Sequence, residues 1–598
     1  MRDSRNRLRG FLVMACLLLA RAAPAAEVVL QLPQETRGLN GHLRDASLSV
    51  ETAAREDAGP QDILAAARAD YARLAGALYE VGRYGAVISI RVDGREAAEI
   101  SPLSEPARVG RIVIRVQPGP LFTFSRAEVA PLAPGTQLPE GYRQGAPAFS
   151  GAVQDAAEAG AGRWRGLGHA KVEIADQRVT ADHRGARLSS EIVLAPGPRL
   201  RFGKLRIMSD SAVRPERLRA IAGLPAGQVY SPAEVEMASR RLRRTGAFTS
   251  VVLEDADDIG PGDRLDVEAT LTDAKPRRFG FGAELSSLEG LTLSGFWLHR
   301  NLMGGAERLR IEGEIGGIGG DSGGIDYSLS TRFERPATFT PDTDLFLEAR
   351  AQELDEPDYR ERSLRLGGGL SHIFSDDLTG EAGLAYQLSD IDDDLGSRRL
   401  EHLLLPARLT YDTRDDPLDA TGGVFYDLDA TPFAGLDTDS LGARLHFDAR
   451  TYWAFGRNDR IVLATRGQLA TVAGAGLAEV PPDMLFFSGG AGTVRGQPYQ
   501  SLGVDLGGGR KIGGRSFAAA SMELRAKLRD AWSVVGFADA GFVGSDSWWG
   551  NPSDTHYGAG LGVRYDTGLG PIRVDLATPL DSDAGEDFEL YIGIGQAF

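Results

Sequence analysis

The chain has 598 residues, with 66 Lys+Arg against 83 Asp+Glu, a formal charge of −17, 75 glycines and one cysteine. That balance excludes a general nucleic-acid binder, which needs a basic stripe to displace phosphate counterions. A lone cysteine excludes a disulfide framework. Glycine, at about twice its ordinary share, has no three-residue period, so tight turns and a barrel lumen explain it better than collagen does.

Taken in chain order, the first element reads as a secretory signal over residues 1–25. Arg2, Arg5, Arg7 and Arg9 precede the apolar stretch Phe11–Ala20, and Ala23-Pro24-Ala25 offers a small-x-small cleavage site. The stretch is too short to span a bilayer as a helix. Cys16 lies inside it; lipidation there would place Leu17-Leu18-Leu19 after the modified residue. No later run reaches the ~18 apolar residues of a transmembrane helix, but a closed barrel can still enter a membrane because all its backbone groups are paired.

Residues 26–276 then repeat. Pro118-Gly119-Pro120, Pro196-Gly197-Pro198 and Ala274-Lys275-Pro276 each close a strand, in equal steps of 78 residues. Inside each unit a helix ends at a glycine before a strand: Gly82, Gly168 and Gly246. Glycine there supplies a left-handed helix cap. The helix before Gly246 has Ser231 to cap it, Pro232 at its first position and Glu234 to complete a capping box, followed by the stripe Val235, Ala238, Leu242. These units resemble polypeptide-transport-associated (POTRA) domains, with bounds 26–120, 121–199 and 200–276. The resemblance implies sheet edges that accept extended client strands by β-augmentation.

From residue 277 to 598 the texture changes to strands of the length a tilted transmembrane strand needs. The sequence predicts sixteen, among them 378–391, 402–412, 556–565, 571–578 and 588–598; the last three alternate apolar and small or polar side chains. On the last, Phe588, Leu590, Ile592, Ile594 and Phe598 share a face. The expected fold is therefore α+β repeats followed by all-β: three POTRA domains and a 16-stranded antiparallel transmembrane barrel. Short connections such as Arg529-Asp530 alternate with long ones, the longest being residues 474–515.

That long loop carries Val494-Arg495-Gly496, and a later strand carries Phe537-Ala538-Asp539. Together with Tyr411–Gly423 and Gly570–Asp575, these segments resemble the outer-membrane assembly superfamily of the BamA/TamA type. The count of three repeats is similar to the TamA-like translocation and assembly module subunit. The resemblance implies that the loop enters the lumen, and that Arg495 meets Asp539 with Phe537 packed nearby. An arginine fork and a carboxylate suit such a pairing. Where the family has an aromatic after Val-Arg-Gly this chain has Gln497, with Tyr499 two residues on.

Enzyme signatures are lacking. Eight histidines form no His-x-x-x-His, and no phosphate-binding Gly-x-x-x-x-Gly-Lys-Ser/Thr loop occurs. Asp390, Asp392, Asp394 and Glu401 approach calcium-loop spacing, but Leu395 stands at the turn glycine and Arg398 at the ninth position, so the segment reads as an acidic extracellular loop. No catalytic residue, metal or cofactor is expected.

The resemblance implies a non-enzymatic factor in the bacterial outer membrane, with its POTRA domains in the periplasm. It would insert or export clients such as autotransporters and release them through a seam between the first and last strands. The partners it implies are a TamB-like inner-membrane-anchored protein, unfolded outer-membrane clients, and outer-membrane lipid and lipopolysaccharide. A two-partner secretion transporter and a solute channel with periplasmic accessory domains stand as alternatives.

Overall fold

The computed structural model describes residues 26–598 except 56, 102–105, 287–289, 321–322, 457–458, 530, 549–552, 568–569 and 581–587. The signal segment and part of the Arg529-Asp530 turn thus lie outside the described residues. By internal packing the chain forms two compact units. One holds residues up to Gly203 with Ala226–Ala233 and Asp257–Leu265; the other holds Lys204–Pro225, Glu234–Ala256 and Asp266–Phe598.

Three small sheets precede Arg277. In the first, Glu27–Gln31 runs parallel to Arg111–Gln117, which pairs antiparallel with Val87–Val92. Helix Pro60–Glu80 covers it, and its Leu64, Leu74 and Leu78 pack with Ile90, Ile112 and Ile114 in one buried cluster. The second sheet repeats the order: Thr123–Ala130 lies parallel to Arg187–Ala195, and Glu173–Asp182 closes it antiparallel, with helix Ser150–Gly166. The third has Arg201–Ile207, Arg264–Asp273 and Phe248–Gly260 in that order, with helices Pro215–Ala222 and Pro232–Arg244. Gly82, Gly168 and Gly246 follow their helices with φ of 71°, 102° and 67°, a region costly for any residue with a Cβ.

From Arg277 on the strands close into a barrel. Sixteen antiparallel strands form it, the eighth in two pieces, Gly396–Leu404 and Ala407–Asp412, which both pair with the strands on either side. Pro406, which has no N–H to give to a ladder, marks the break. The outer face is oily. Phe281, Leu329, Leu366, Leu384, Met522, Leu524 and Leu561 are all exposed, as are Trp453, Phe455, Trp532 and Tyr565 near the end where the chain enters. A water-soluble protein would bury such side chains; a bilayer solvates them, with aromatics at the interface. The inner face carries the charge: Glu361, Asp448, Glu523, Arg525, Asp539, Arg564 and Asp575 are buried there.

Two expectations are corrected here. The acidic segment Asp390–Asp394 is not an open loop. Leu378–Asp393 and Gly396–Leu404 form a tight hairpin, with Asp390 opposite Arg362 on one side and Arg399 on the other. Cross-strand opposite charges let the ladder extend beyond the apolar band. The last strand does not reach Phe598 either. It is Glu589–Ile594, and Gly595 at φ 92° turns the chain. Phe598 is buried with Ala420, Tyr452 and Ala464, away from the outward face that Leu590 and Ile594 keep.

Within the larger unit, the helix residues Arg241 and Arg244 both grip Asp342, in the turn between strands Asp326–Arg335 and Thr343–Glu356, at 2.6 and 2.7 Å. The Arg214 N–H donates to the Gly304 carbonyl at 2.8 Å in another turn. Burial raises the Asp342 carboxyl's pKa, but hydrogen bonds and charge from the two arginines outweigh it and hold the group below the usual carboxylate range. A depressed carboxylate stabilises above its unfolded pKa and loses that contribution as pH falls through the folded one. The tie is therefore expected to be constant above about pH 5 and to weaken below about pH 4. Asp342→Ala should speed amide exchange in helix Pro232–Arg244 at neutral pH; unchanged exchange would show that the arginines do not hold the helix.

Candidate functional site

Two features stand out: a loop folded into the lumen and an incomplete seam. Residues between strands Ile461–Ala473 and Ser516–Arg529 fold inward. Met484, Leu485 and Phe486 join Phe433, Val472, Phe517 and Val543 in a buried cluster, so apolar loop residues fill space that water would otherwise take. Beyond it, the loop brings Arg495 against the wall.

Arg495 is 3% exposed. Its Nε and Nη2 donate to the two oxygens of Asp539 at 2.8 and 3.0 Å, its backbone N–H donates to the same carboxylate at 3.1 Å, and Nη1 donates to Glu523 at 2.6 Å. The guanidinium lies over the Phe537 ring, 3.6 Å from its centroid. One cation thus takes a bidentate carboxylate, a second carboxylate and an aromatic face, which a lysine could not do. Close approach makes this geometry attainable. Gly496 has φ 88°, and a Cβ on it would lie 2.7 Å from the Thr578 backbone. Gly558, on the wall, leaves room for the Arg495 carbonyl. Val494 is fully buried beside it. Gln497 is buried too, and its amide donates to the Tyr557 carbonyl at 2.7 Å, a polar anchor where the family has a ring. Tyr499 donates to Glu356 at 3.1 Å.

Residues that the sequence reading did not single out extend the network. Glu523 is shared by Arg495 and Arg525, and Arg525 Nη2 donates to the Phe598 carbonyl at 3.1 Å. Arg564 forks onto Asp575. The Gly496 N–H donates to the Tyr591 hydroxyl, on the last strand, at 3.2 Å. From inside, the loop is therefore fastened to the last strand, and the Phe598 carbonyl to strand Ser516–Arg529. The signal was present: the charged Glu523 and Arg525 alternate with the outward apolar Met522 and Leu524.

The seam is the second feature. The first strand, Arg277–Ser286, pairs along its full length with Gly290–His299. Against the last strand it pairs only as Leu285 with Ile592 and Ser286 with Tyr591. Ile592 thus lies in the seam, and Phe588 precedes the strand, exposed. Because Gly595 ends the last strand early, Arg277–Glu284 has no ladder partner on that side among the described residues. Its N–H and C=O groups form a free edge.

Residues 301–598 match the Omp85 superfamily domain. The chain belongs to the Omp85 superfamily. Among solved structures, BamA from Haemophilus ducreyi lacking POTRA domains 1–3 is 17% identical, with a TM-score of 0.63 over 79% of this chain and 100% of that one. CdiB from Acinetobacter baumannii is 12% identical, with a TM-score of 0.51 over 80% of this chain and 90% of that one. Haemophilus influenzae BamA POTRA3-5 matches over 42% of this chain and 96% of that one, at 17% identity and a TM-score of 0.32. The Omp85 chain thus combines an α/β, POTRA-like N-terminal region with a closed barrel. Its relatives are outer-membrane factors of protein transport and assembly, and the oily outer wall suits that membrane.

Proposed function

We propose that this Omp85 protein is a non-enzymatic, TamA-like assembly factor that inserts or exports barrel-type clients such as autotransporters. The observation that carries the reading is the seam. Among the described residues, every other junction of the barrel has a longer ladder than the two pairs that join Arg277–Ser286 to Glu589–Ile594. Parting those strands breaks few hydrogen bonds and lengthens a free edge that a client strand can extend. Burial of the client in lipid supplies the driving force, without nucleotide. The POTRA-like modules hang in the periplasm, where their sheet edges receive clients or a TamB-like inner-membrane-anchored protein; lipid and lipopolysaccharide surround the barrel.

A two-partner secretion transporter remains the second reading, favoured by the fold shared with CdiB. Against it, Glu27–Gln31 is a strand of the first sheet instead of a plug helix, and the lumen holds the Arg495 loop. Proteoliposomes separate the two. With a urea-unfolded small barrel client, we expect insertion several-fold faster than in protein-free vesicles, read by heat-modifiable migration. Insertion no faster than with a general porin would refute the assembly reading. Delivery of an unfolded polypeptide into the vesicle interior without insertion would support secretion.

A further inference from the structure

A lumen-facing row crosses the strands beside the seam. Arg564 stands opposite Arg573, and Arg573 opposite Gly593. One step beyond the pair Leu285 with Ile592, the same register sets Glu284 opposite Gly593. Two arginines facing each other across a ladder repel unless each has its own anion. Arg564 has Asp575. Arg573 finds its anion two strands away: Nη2 donates to Glu284 Oε1 at 2.8 Å, passing over the last strand. Gly593 makes the crossing possible. A Cβ there would lie 3.1 Å from Arg573 Nε and 3.6 Å from Glu284 Oε1.

We propose that Arg573 and Glu284 form an ionic latch that sets how often the seam is closed. The pair spans from the fifteenth strand to the first at the position where the backbone ladder stops. It stands in place of the third ladder pair. Arg573 is largely buried while Glu284 is half exposed to the lumen, so the carboxylate rehydrates as soon as the bond breaks, and departure of the first strand opens Arg573 to water in turn. Such a pair is screened by salt, which makes the closed fraction depend on ionic strength. Opening then has an order: the first strand leaves, while the last stays tied to the lumenal loop through Tyr591 and to Arg525 through the Phe598 carbonyl.

This inference rests on the reading of the seam as an opening, and its test keeps the two apart. Leu285→Cys and Ile592→Cys are placed in a chain with Cys16→Ser. Directly opposed strand residues have the Cα spacing a disulfide requires. The rate of disulfide formation under mild oxidant then reports the closed fraction. Glu284→Ala should slow it by roughly two- to fivefold, the span of an exposed ion pair, and Gly593→Ala should do the same by displacing Arg573. The charge swap Glu284→Arg with Arg573→Glu should restore it. High salt should slow the parent and leave Glu284→Ala unchanged. Correct folding is checked for each variant by heat-modifiable migration. A native rate in folded Glu284→Ala, or a charge swap that fails to restore the rate, overturns the latch. If the variants shift disulfide formation but client insertion does not depend on the seam, the latch stands and the assembly reading falls. If locking the seam stops insertion while Glu284→Ala closes at the native rate, the reverse holds.

Discussion

Arg495→Ala is expected to release the lumenal loop and reduce client insertion by tenfold or more. The variant removes a fully enclosed cation from Asp539, which has no other arginine partner among the described residues, and takes from Glu523 one of the three arginines around it. Breaking a buried pair from one side costs about 3–5 kcal/mol, since the remaining charge stays desolvated. Each 1.4 kcal/mol is a factor of ten, so the docked loop loses a hundredfold or more of its preference. Arg495→Lys is expected to behave nearly as badly, because one ammonium cannot serve both oxygens of Asp539, Glu523 and the Phe537 face together. The measurement is limited proteolysis within residues 474–515 on intact barrels, alongside client insertion. A loop that stays protected in Arg495→Ala would show that Met484, Leu485 and Phe486 hold it without the arginine. Asp539→Asn tests the same bond from the wall and should give a smaller loss, since the amide oxygen still accepts.

The loop also explains why the chain end stays in place. The Tyr591 hydroxyl accepts from the Gly496 N–H, and Arg525, itself held by Glu523, donates to the Phe598 carbonyl. Undocking the loop therefore frees the last strand as well. Arg495→Ala should consequently raise the mobility of Phe598, whereas loss of the latch acts on the first strand.

Much of this was legible in the chain. Alternation along Ser553–Tyr565, with Leu561 out and Arg564 in, depends only on the two-residue period of a strand and reads directly. The spacing of Gly82, Gly168 and Gly246 reads directly as well, because a left-handed helix end needs glycine. The Gly396–Leu404 piece did not. Its charges suggest a loop, and only their partners on the neighbouring strand, such as Asp390 opposite Arg399, make a strand of them. The fate of Phe598 was hidden for a similar reason: the apolar period continues past Ile594, but Gly595 changes direction and a pocket beside Tyr452 receives the ring. Lumenal partners such as Glu523 and Glu284 depend on which strands closure brings together, and local pattern does not encode that. The seam follows from the same kind of long-range fact, since Leu285 and Ile592 are distant in sequence and become neighbours only when the barrel closes.

The most direct test is to lock that junction. A completed Leu285→Cys/Ile592→Cys disulfide fixes the first strand to the last without touching the lumen, the loop or the modules before Arg277. Oxidised barrels in vesicles are expected to lose client insertion to the protein-free rate, and reductant is expected to restore it in the same sample. Insertion at the full rate through a quantitatively locked seam would contradict the account.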